Sequence, residues 1–199
     1  TRKESSAASD VYKRQVQKSN KGSGPLRDGT VDLETGVVGS TIGPEVRAQA
    51  LFRDRFIGVV RMGHPLSQGE ITPARYAAGR HILVSRRGQD KGPIDEALSS
   101  LDLQRQIVAI VGGFSAALAL ARASDLIASV PERHTGNLRA GMHGFPLPVP
   151  VQEITVSLLW HPRLHADPAH RWLRGCVREI CAEQHSDSWP CEKAAESPA

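Results

Sequence analysis

The stretch Ile107–Pro131, IVAIVGGFSAALALARASDLIASVP, decides the fold class of this chain. Its first five residues are apolar and mostly β-branched, and the two glycines after them predict a strand that ends in a tight turn. The Ala- and Leu-rich run Phe114–Ala123 predicts a helix, and Leu126–Val130 predicts a second strand. Because about a dozen residues separate the strands, a crossover between parallel neighbours is favoured over a hairpin. We therefore predict a βαβ unit whose strands are buried on both faces.

The Gly112-Gly113 turn is the first candidate functional feature. Glycines let a backbone approach a ligand closely, and the amino end of a helix presents free N–H groups and a positive dipole. Ser115 adds a hydroxyl. The turn fits two interpretations: a subsite for an anionic or polar small molecule, or a simple strand–helix connection with Ser115 as the N-cap. A membrane span is not predicted, because the apolar run 107–121 is shorter than the roughly 20 residues that a bilayer requires.

Composition narrows the class of protein. Of the 199 residues, 40% are hydrophobic and 23% charged, values typical of a soluble globular protein with one domain or two small lobes. The net charge of +4 belongs to residues 1–22, so the rest of the chain gives no signal for nucleic-acid binding. The three cysteines, Cys176, Cys181 and Cys191, lack metal-site or redox spacing, which favours a reducing compartment. Without a signal-peptide pattern, we expect a cytoplasmic protein.

The remaining elements follow from local patterns. Further strands are expected at Val31–Val38, Phe56–Arg61, His81–Ser85 and Ile154–Trp160. Short helices are expected after the Thr72 N-cap and from Pro93, the latter with an apolar stripe of Ile94, Ala97, Leu98 and Leu101. A last helix after Asp167-Pro168 has the stripe Ala169, Trp172, Leu173, Cys176, Val177 and Ile180. Pro25–Gly29 is expected to turn and Pro146–Pro150 to connect in extended form. The polar leader 1–24 and tail 185–199 are expected to be flexible.

Motifs for catalysis are missing from the sequence. It has no Gly-x-Ser-x-Gly, no His-Glu-x-x-His and no phosphate-cradling Gly-Lys-Ser/Thr, so neither an enzyme nor a cofactor is predicted. His161, His165 and His170 fit either a metal site or a solvated loop, and the prolines between them mean that the imidazoles need not converge. Ser85 with Arg86 and Arg87 fits either an anion site or a solvated loop.

Several short segments, in order, resemble the effector-binding domain of LysR-type transcriptional regulators. The resemblance covers roughly residues 25–182. It rests on LRDGTVDL at 26–33, the run 51–61 before HPL at 64–66, HILVS at 81–85 with IDEAL at 94–98, the Gly112-Gly113-Phe114 turn, SDLI at 124–127 with PER at 131–133, WHPR at 160–163 and DPAHRWLR at 167–174.

The resemblance implies a two-lobed α/β fold like that of type 2 periplasmic binding proteins, with Rossmann-like lobes. Lobe one would comprise residues 25–55 and 146–184 and be incomplete, and lobe two would comprise residues 56–145. The residues expected to face a ligand in the cleft, carried over by position, are Val37, Gly39, Ser85, Arg86, Gly113, Phe114 and Ser115.

The resemblance also implies partners: a small carboxylate or aromatic effector, a second copy of the chain, and DNA only through a helix-turn-helix that is missing here. No metal, cofactor or membrane is implied. One departure is Thr35, which stands where the family usually has an aliphatic residue. The alternatives are a transport-type solute-binding protein of the same fold, which the lack of a signal peptide disfavours, and an α/β enzyme.

Overall fold

The computed structural model describes residues 24–38, 42–85 and 91–183, and the strands in these ranges form two sheets. The strands are β1 (Glu34–Val37), β2 (Arg47–Asp54), β3 (Phe56–Arg61), β4 (Arg80–Val84), β5 (Gln106–Val111), β6 (Leu126–Pro131), β7 (Met142–Pro146) and β8 (Ile154–Trp160). The α-helices are α1 (Gly24–Asp28), α2 (Pro73–Ala77), α3 (Pro93–Ser99), α4 (Phe114–Arg122) and α5 (Pro168–Glu183). The tail 185–199 and, except for Gly24, the leader 1–24 lie outside the described residues.

The two sheets differ in size and in strand direction. The first sheet has the order β1-β8-β2 and is antiparallel throughout. The second sheet has the order β5-β4-β6-β3-β7, with β4 parallel to β5 and β6 and with β3 antiparallel to β6 and β7. The predicted α/β class is therefore confirmed.

The second sheet carries a hydrophobic cluster on each face. One cluster lies under α2 and α3 and contains Val60, Leu66, Tyr76, Ala77, Ile94, Leu98, Ile127, Phe145 and Val149. The other lies under α4 and contains Ile57, Val59, Ile82, Ala117, Leu118, Ala121, Ala128 and Val130. Neighbouring residues of β3 divide between the clusters because successive side chains of a strand point to opposite faces. Gly58 is required there, since a Cβ at this position would lie 2.3 Å from the Phe145 ring.

The chain crosses from the first sheet to the second between Asp54 and Phe56. The buried Asp54 carboxylate accepts hydrogen bonds from the backbone N–H groups of Arg133 and His134, both at 2.9 Å. The Arg133 guanidinium lies 4.2 Å from the ring centre of Phe52 and donates to the carbonyl oxygen of Cys181. Asp54, Arg133 and His134 thus join β2 and α5 to the end of β6, and we call these three residues the inter-sheet clasp.

The N-cap predicted at Thr72 is confirmed at side-chain level, and a second side-chain cap lies close to it. Thr72 is the N-cap of α2, and its hydroxyl accepts a hydrogen bond from the backbone N–H of Arg75 at 3.2 Å. The buried His64 holds the turn before the short 3₁₀-helix Pro65–Ser67, because its Nδ1 accepts from the N–H of Leu66 at 3.0 Å. Burial lowers the pKa of this imidazole, which favours the neutral form that can accept.

The βαβ prediction for 107–131 is correct in its elements and wrong in two details. β5 and β6 run parallel with α4 between them, but they are not neighbours, because β4 lies between them. β5 is an edge strand and is not buried on both faces, since Val108 is 42% exposed and Ile110 48%. The cause is non-local: the earlier strand β4 inserts at the centre of the parallel group.

Smaller corrections concern element bounds. The predicted turn Pro25–Gly29 is largely the helix α1, the predicted strand Val31–Val38 is shortened to β1, and Leu101 lies beyond the end of α3. β2 and β7 were not predicted as strands, because their sequences lack a regular apolar alternation. Ser115 is not an N-cap: Gly113 occupies that position, and Ser115 is an exposed residue of the first turn of α4.

The last helix, α5, begins at Pro168 as predicted but presents its apolar stripe largely to solvent. Trp172 is 71% exposed, Ile180 59% and Leu173 41%. The buried positions of its first two turns are His170 and Arg174 instead, and the Arg174 guanidinium lies 4.5 Å from the ring centre of Trp160 on β8. Across the described ranges, every helix is too short or too polar to cross a membrane.

Candidate functional site

A cavity of about 350 Å³ opens at the carboxyl end of β4. Its walls come from β3, β4, β6, the amino ends of α3 and α4, and three connecting segments: β4 to α3, α3 to β5, and β7 to β8. The lining residues are Phe56, Ile82, Leu83, Val84, Ser85, Lys91, Gly92, Pro93, Ile94, Arg105, Phe114, Ser129 and Val151. The carboxyl end of a parallel strand in an open α/β sheet is a common place for ligands, and the volume suits a small molecule.

Two aromatic rings form part of the wall. Phe56, at the start of β3, and Phe114, at the start of α4, meet edge to face with ring centres 6.3 Å apart. Phe114 also meets the His134 ring edge to face at 6.1 Å. Because His134 belongs to the inter-sheet clasp, the cavity wall is continuous with the crossing between the two sheets.

A glycine is the N-cap of each of the two helices, α3 and α4, that begin beside the cavity. Gly92 is the N-cap of α3, and its N–H donates to Oδ2 of Asp95 at 2.8 Å. Gly113 is the N-cap of α4 and makes no side-chain capping bond. Its backbone is extended, and a Cβ added there would meet no atom within 4 Å. The turn therefore needs no glycine for packing, so a larger residue is tolerated by the protein itself.

Among the described residues, the charged ones that line the cavity are Lys91 and Arg105, and both are basic. Arg105 is the buried one, with its side chain 2% exposed, and it forms a bidentate pair with Asp95. Its Nε donates to Oδ1 at 2.7 Å and its Nη2 to Oδ2 at 2.9 Å. Burial acts to lower the pKa of the guanidinium, but the hydrogen bonds and charge of Asp95 outweigh it and the pKa rises, so Arg105 stays charged.

A buried polar group adjoins this pair. The hydroxyls of Tyr76 and Ser129 lie 2.8 Å apart in a hydrogen bond. Burial raises the pKa of the Tyr76 phenol, against the opposing charge of Arg105, so the phenol keeps its proton. His81 packs edge to face on Tyr76 with ring centres 4.6 Å apart, and burial lowers its pKa to about 4. Its Nε2 lies 2.9 Å from the Tyr76 carbonyl oxygen, which assigns the proton of the neutral ring to Nε2.

The structure brings together only some of the residues predicted to face a ligand. Ser85 and Phe114 line the cavity. Val37, Gly113 and Ser115 are not among its lining residues, and Val37 is an exposed residue of the first sheet. Gly39 and Arg86 lie outside the described residues. Ligand binding by these residues stays a prediction.

The three histidines do not form a metal site. His161 Nδ1 accepts from the N–H of Arg163 at 3.3 Å, His165 stacks on Trp160 with ring centres 6.1 Å apart, and His170 Nε2 lies 3.1 Å from the Asp32 carbonyl oxygen. Within residues 24–38, 42–85 and 91–183, no group of metal-ligating side chains is arranged to hold an ion. Each imidazole thus has a structural contact.

Sequence reasoning missed Phe56, Arg105 and Ser129 as cavity residues. Phe56 and Ser129 lie on strands whose apolar pattern gives no sign of a ligand. Asp95 carried a weak signal, since an acid three residues after the N-cap, here Gly92, is typical of a helix start. Its partner Arg105 is ten residues away and approaches only when α3 turns back into β5.

Comparison with known families identifies the fold. The sequence model of the LysR substrate binding domain family matches residues 15–182, which are most of the chain. The chain belongs to the LysR substrate-binding domain family. The predicted two-lobed, periplasmic-binding-protein-like fold is confirmed by structural neighbours that are effector-binding domains of LysR regulators.

Relatives of this LysR domain are transcriptional regulators. The HTH-type transcriptional regulator SyrM of Rhizobium meliloti is 34% identical over 155 residues, which are 76% of this chain and 47% of SyrM. This LysR domain thus spans about half the length of the curated relatives it matches. The solute-binding alternative is not favoured, because the relatives are regulators.

Two solved neighbours are structures with a small-molecule ligand. The effector-binding domain of QuiR in complex with shikimate is 16% identical, with a TM-score of 0.62, over 80% of this chain and 76% of that one. The BenM effector-binding domain with its effector benzoate is 18% identical, with a TM-score of 0.61, over 83% of this chain and 76% of that one. At these sequence identities, the similarity shows a shared fold and nothing further.

Proposed function

We propose that this chain is the effector-sensing part of a LysR-type transcription regulator and that it binds a small, flat, anionic molecule in the cavity at the end of β4. The observation that carries the proposal is the composition of the cavity wall. Two phenylalanines and several aliphatic residues form it, and its charged residues within the described ranges, Lys91 and Arg105, are basic. Such a wall favours a carboxylate with an apolar body.

The fold neighbours support this ligand class. Shikimate and benzoate, the ligands in the QuiR and BenM structures, are both ring carboxylates. Lys91 would pair with the carboxylate at the rim, Phe56 and Phe114 would contact the ring, and Ser85 would add a hydroxyl. Residues 25–55 and 146–184 would form lobe one and residues 56–145 lobe two, with the effector near the crossing between them.

The remaining partners follow from the family. The full regulator would bind DNA through a helix-turn-helix domain, act in the cytoplasm and assemble with further copies of itself. The exposed apolar stripe of α5 supports self-association. Effector binding beside the inter-sheet clasp would shift the population of lobe orientations and thereby the spacing of the DNA-binding domains.

Calorimetric titration with benzoate and with shikimate tests the proposal. We expect at least one to bind the wild-type chain and Phe114→Ala to weaken that binding about tenfold, because the variant removes one aromatic wall. Leu120→Ala is the matched control, since Leu120 lies on the same helix and is exposed. Equal affinity of Phe114→Ala and wild type would place the ligand elsewhere.

A further inference from the structure

Four polar residues, Arg105, Asp95, Tyr76 and Ser129, form the inner polar group of the cavity. Together they offer more hydrogen-bond donors than acceptors. Arg105 uses Nε and Nη2 on Asp95, but its buried Nη1 has no hydrogen-bond partner in the described part of the chain. Leaving a buried donor without an acceptor is energetically unfavourable, so such groups in native proteins usually meet a water, an ion or a ligand.

The two hydroxyls add to the excess of donors. Tyr76 and Ser129 carry two hydroxyl hydrogens, and the one bond between them uses one. Whichever hydroxyl donates, the other keeps a hydrogen for a further acceptor. Ser129 and Arg105 both line the cavity, so when the Tyr76 phenol donates to Ser129, a ligand there has two different donors within the same wall.

The charge balance indicates what kind of acceptor fits. Asp95 neutralises Arg105 through two hydrogen bonds, so this inner group has no net charge. A second carboxylate buried here would have no counter-ion of its own, and burying an unpaired charge is costly. A neutral oxygen accepts the same hydrogen bonds without that cost.

We propose that Arg105 and Ser129, with Tyr76 as a positioning residue behind Ser129, form a subsite for an uncharged oxygen of the effector, a hydroxyl or a carbonyl. The proposal rests on the proposed function and adds a second recognition element to it. The effector is then a ring carboxylate that bears a hydroxyl or oxo substituent, and the bare ring carboxylate is a weaker ligand.

Calorimetric titrations of the whole chain with benzoate, 3-hydroxybenzoate, 4-hydroxybenzoate and shikimate test the subsite. We expect at least one hydroxylated probe to bind about tenfold more tightly than benzoate, which leaves the buried donors unpaired. Ser129→Ala and Arg105→Lys should each bring the ratio of hydroxylated-probe affinity to benzoate affinity down to about one. A lysine keeps a positive charge beside Asp95, but its single ammonium group cannot bind Asp95 through two nitrogens and also donate from a third nitrogen to the ligand.

Ser157→Ala is the matched control, because Ser157 is a buried serine on a central strand of the other sheet and does not line the cavity. Thermal unfolding of each variant verifies that it is folded before titration. Benzoate binding without any gain from a hydroxyl, or a gain that survives in both variants, overturns the subsite and leaves the proposed function intact. If none of the four probes binds, both proposals fail.

Discussion

The two sheets of this chain are built differently. The difference indicates which sheet contributes most to stability and which contributes most to contacts with other chains. The second sheet has helices on both faces, an apolar cluster under each, and the cavity at one end. The first sheet has three strands in the described residues, with α5 packed against β2. Most of the apolar stripe of α5 faces solvent. We therefore expect the second sheet to dominate the free energy of unfolding and the first to dominate contacts with other chains.

The largest expected effect contrasts leucines of the two regions. Leu98 is fully buried under the second sheet, and Leu98→Ala should lower the free energy of unfolding by about 2–5 kcal/mol because it leaves a cavity. Leu173→Ala on α5 should change it by less than about 0.5 kcal/mol, since Leu173 is exposed. Urea unfolding at pH 7 measures both. Equal losses would mean that α5 is buried to the same degree in solution.

A pH titration examines the polar part of the second sheet. His81 has a pKa near 6.5 when unfolded and about 4 when folded, so the unfolded chain binds more protons between these values. The folded state should therefore lose about 3 kcal/mol as the pH falls from 6.5 to 4. His64, whose pKa is also lowered by burial, acts in the same direction.

Urea unfolding at several pH values measures this slope, and His81→Gln should flatten it. Asp95 does not interfere, because the hydrogen bonds and charge of Arg105 outweigh burial and lower its pKa below the usual 3.8. The stability that Asp95 contributes is lost only at still lower pH. A slope that persists unchanged in His81→Gln would place the titrating group elsewhere.

The next effect concerns the connection between the sheets. Asp54→Ala leaves the N–H groups of Arg133 and His134 without their acceptor and should cost about 1–3 kcal/mol. Amide hydrogen exchange at residues 132–135 should accelerate in this variant. Glu45→Ala is the control: it breaks an ion pair with Arg27 at the surface and should leave exchange at residues 132–135 unchanged. Unchanged exchange at residues 132–135 in Asp54→Ala would contradict the role of the clasp.

The smallest expected effect tests the exposed stripe of α5. Sedimentation velocity over a concentration series should show self-association, and Trp172→Gln should weaken it about fivefold, the loss typical of one central apolar side chain. Met62→Gln, which removes an exposed apolar residue just after β3, should leave the association unchanged. A wild-type chain that stays monomeric would mean that this stripe is no interface.

Local sequence determined the element types. The start of α2 is set by Thr72 and Pro73, the start of α4 by two glycines, and the strands β3, β4, β6 and β8 by short apolar or alternating runs. Each of these signals lies within a few residues, and caps, turns and burial periodicity act over that range. The ordered motifs were also enough to indicate the family, since each is a short local pattern.

Tertiary structure alone decided which elements meet. β4 lies between β5 and β6, so a strand pair that looks adjacent in sequence is separated, and Val108 and Ile110 are exposed at the sheet edge. The same packing brings Phe56 on β3, Ser129 on β6 and Arg105, just before β5, to one cavity. Strand order and long-range ion pairs depend on how much surface the whole chain buries. A short segment of sequence does not specify that quantity, because it depends on contacts with distant segments.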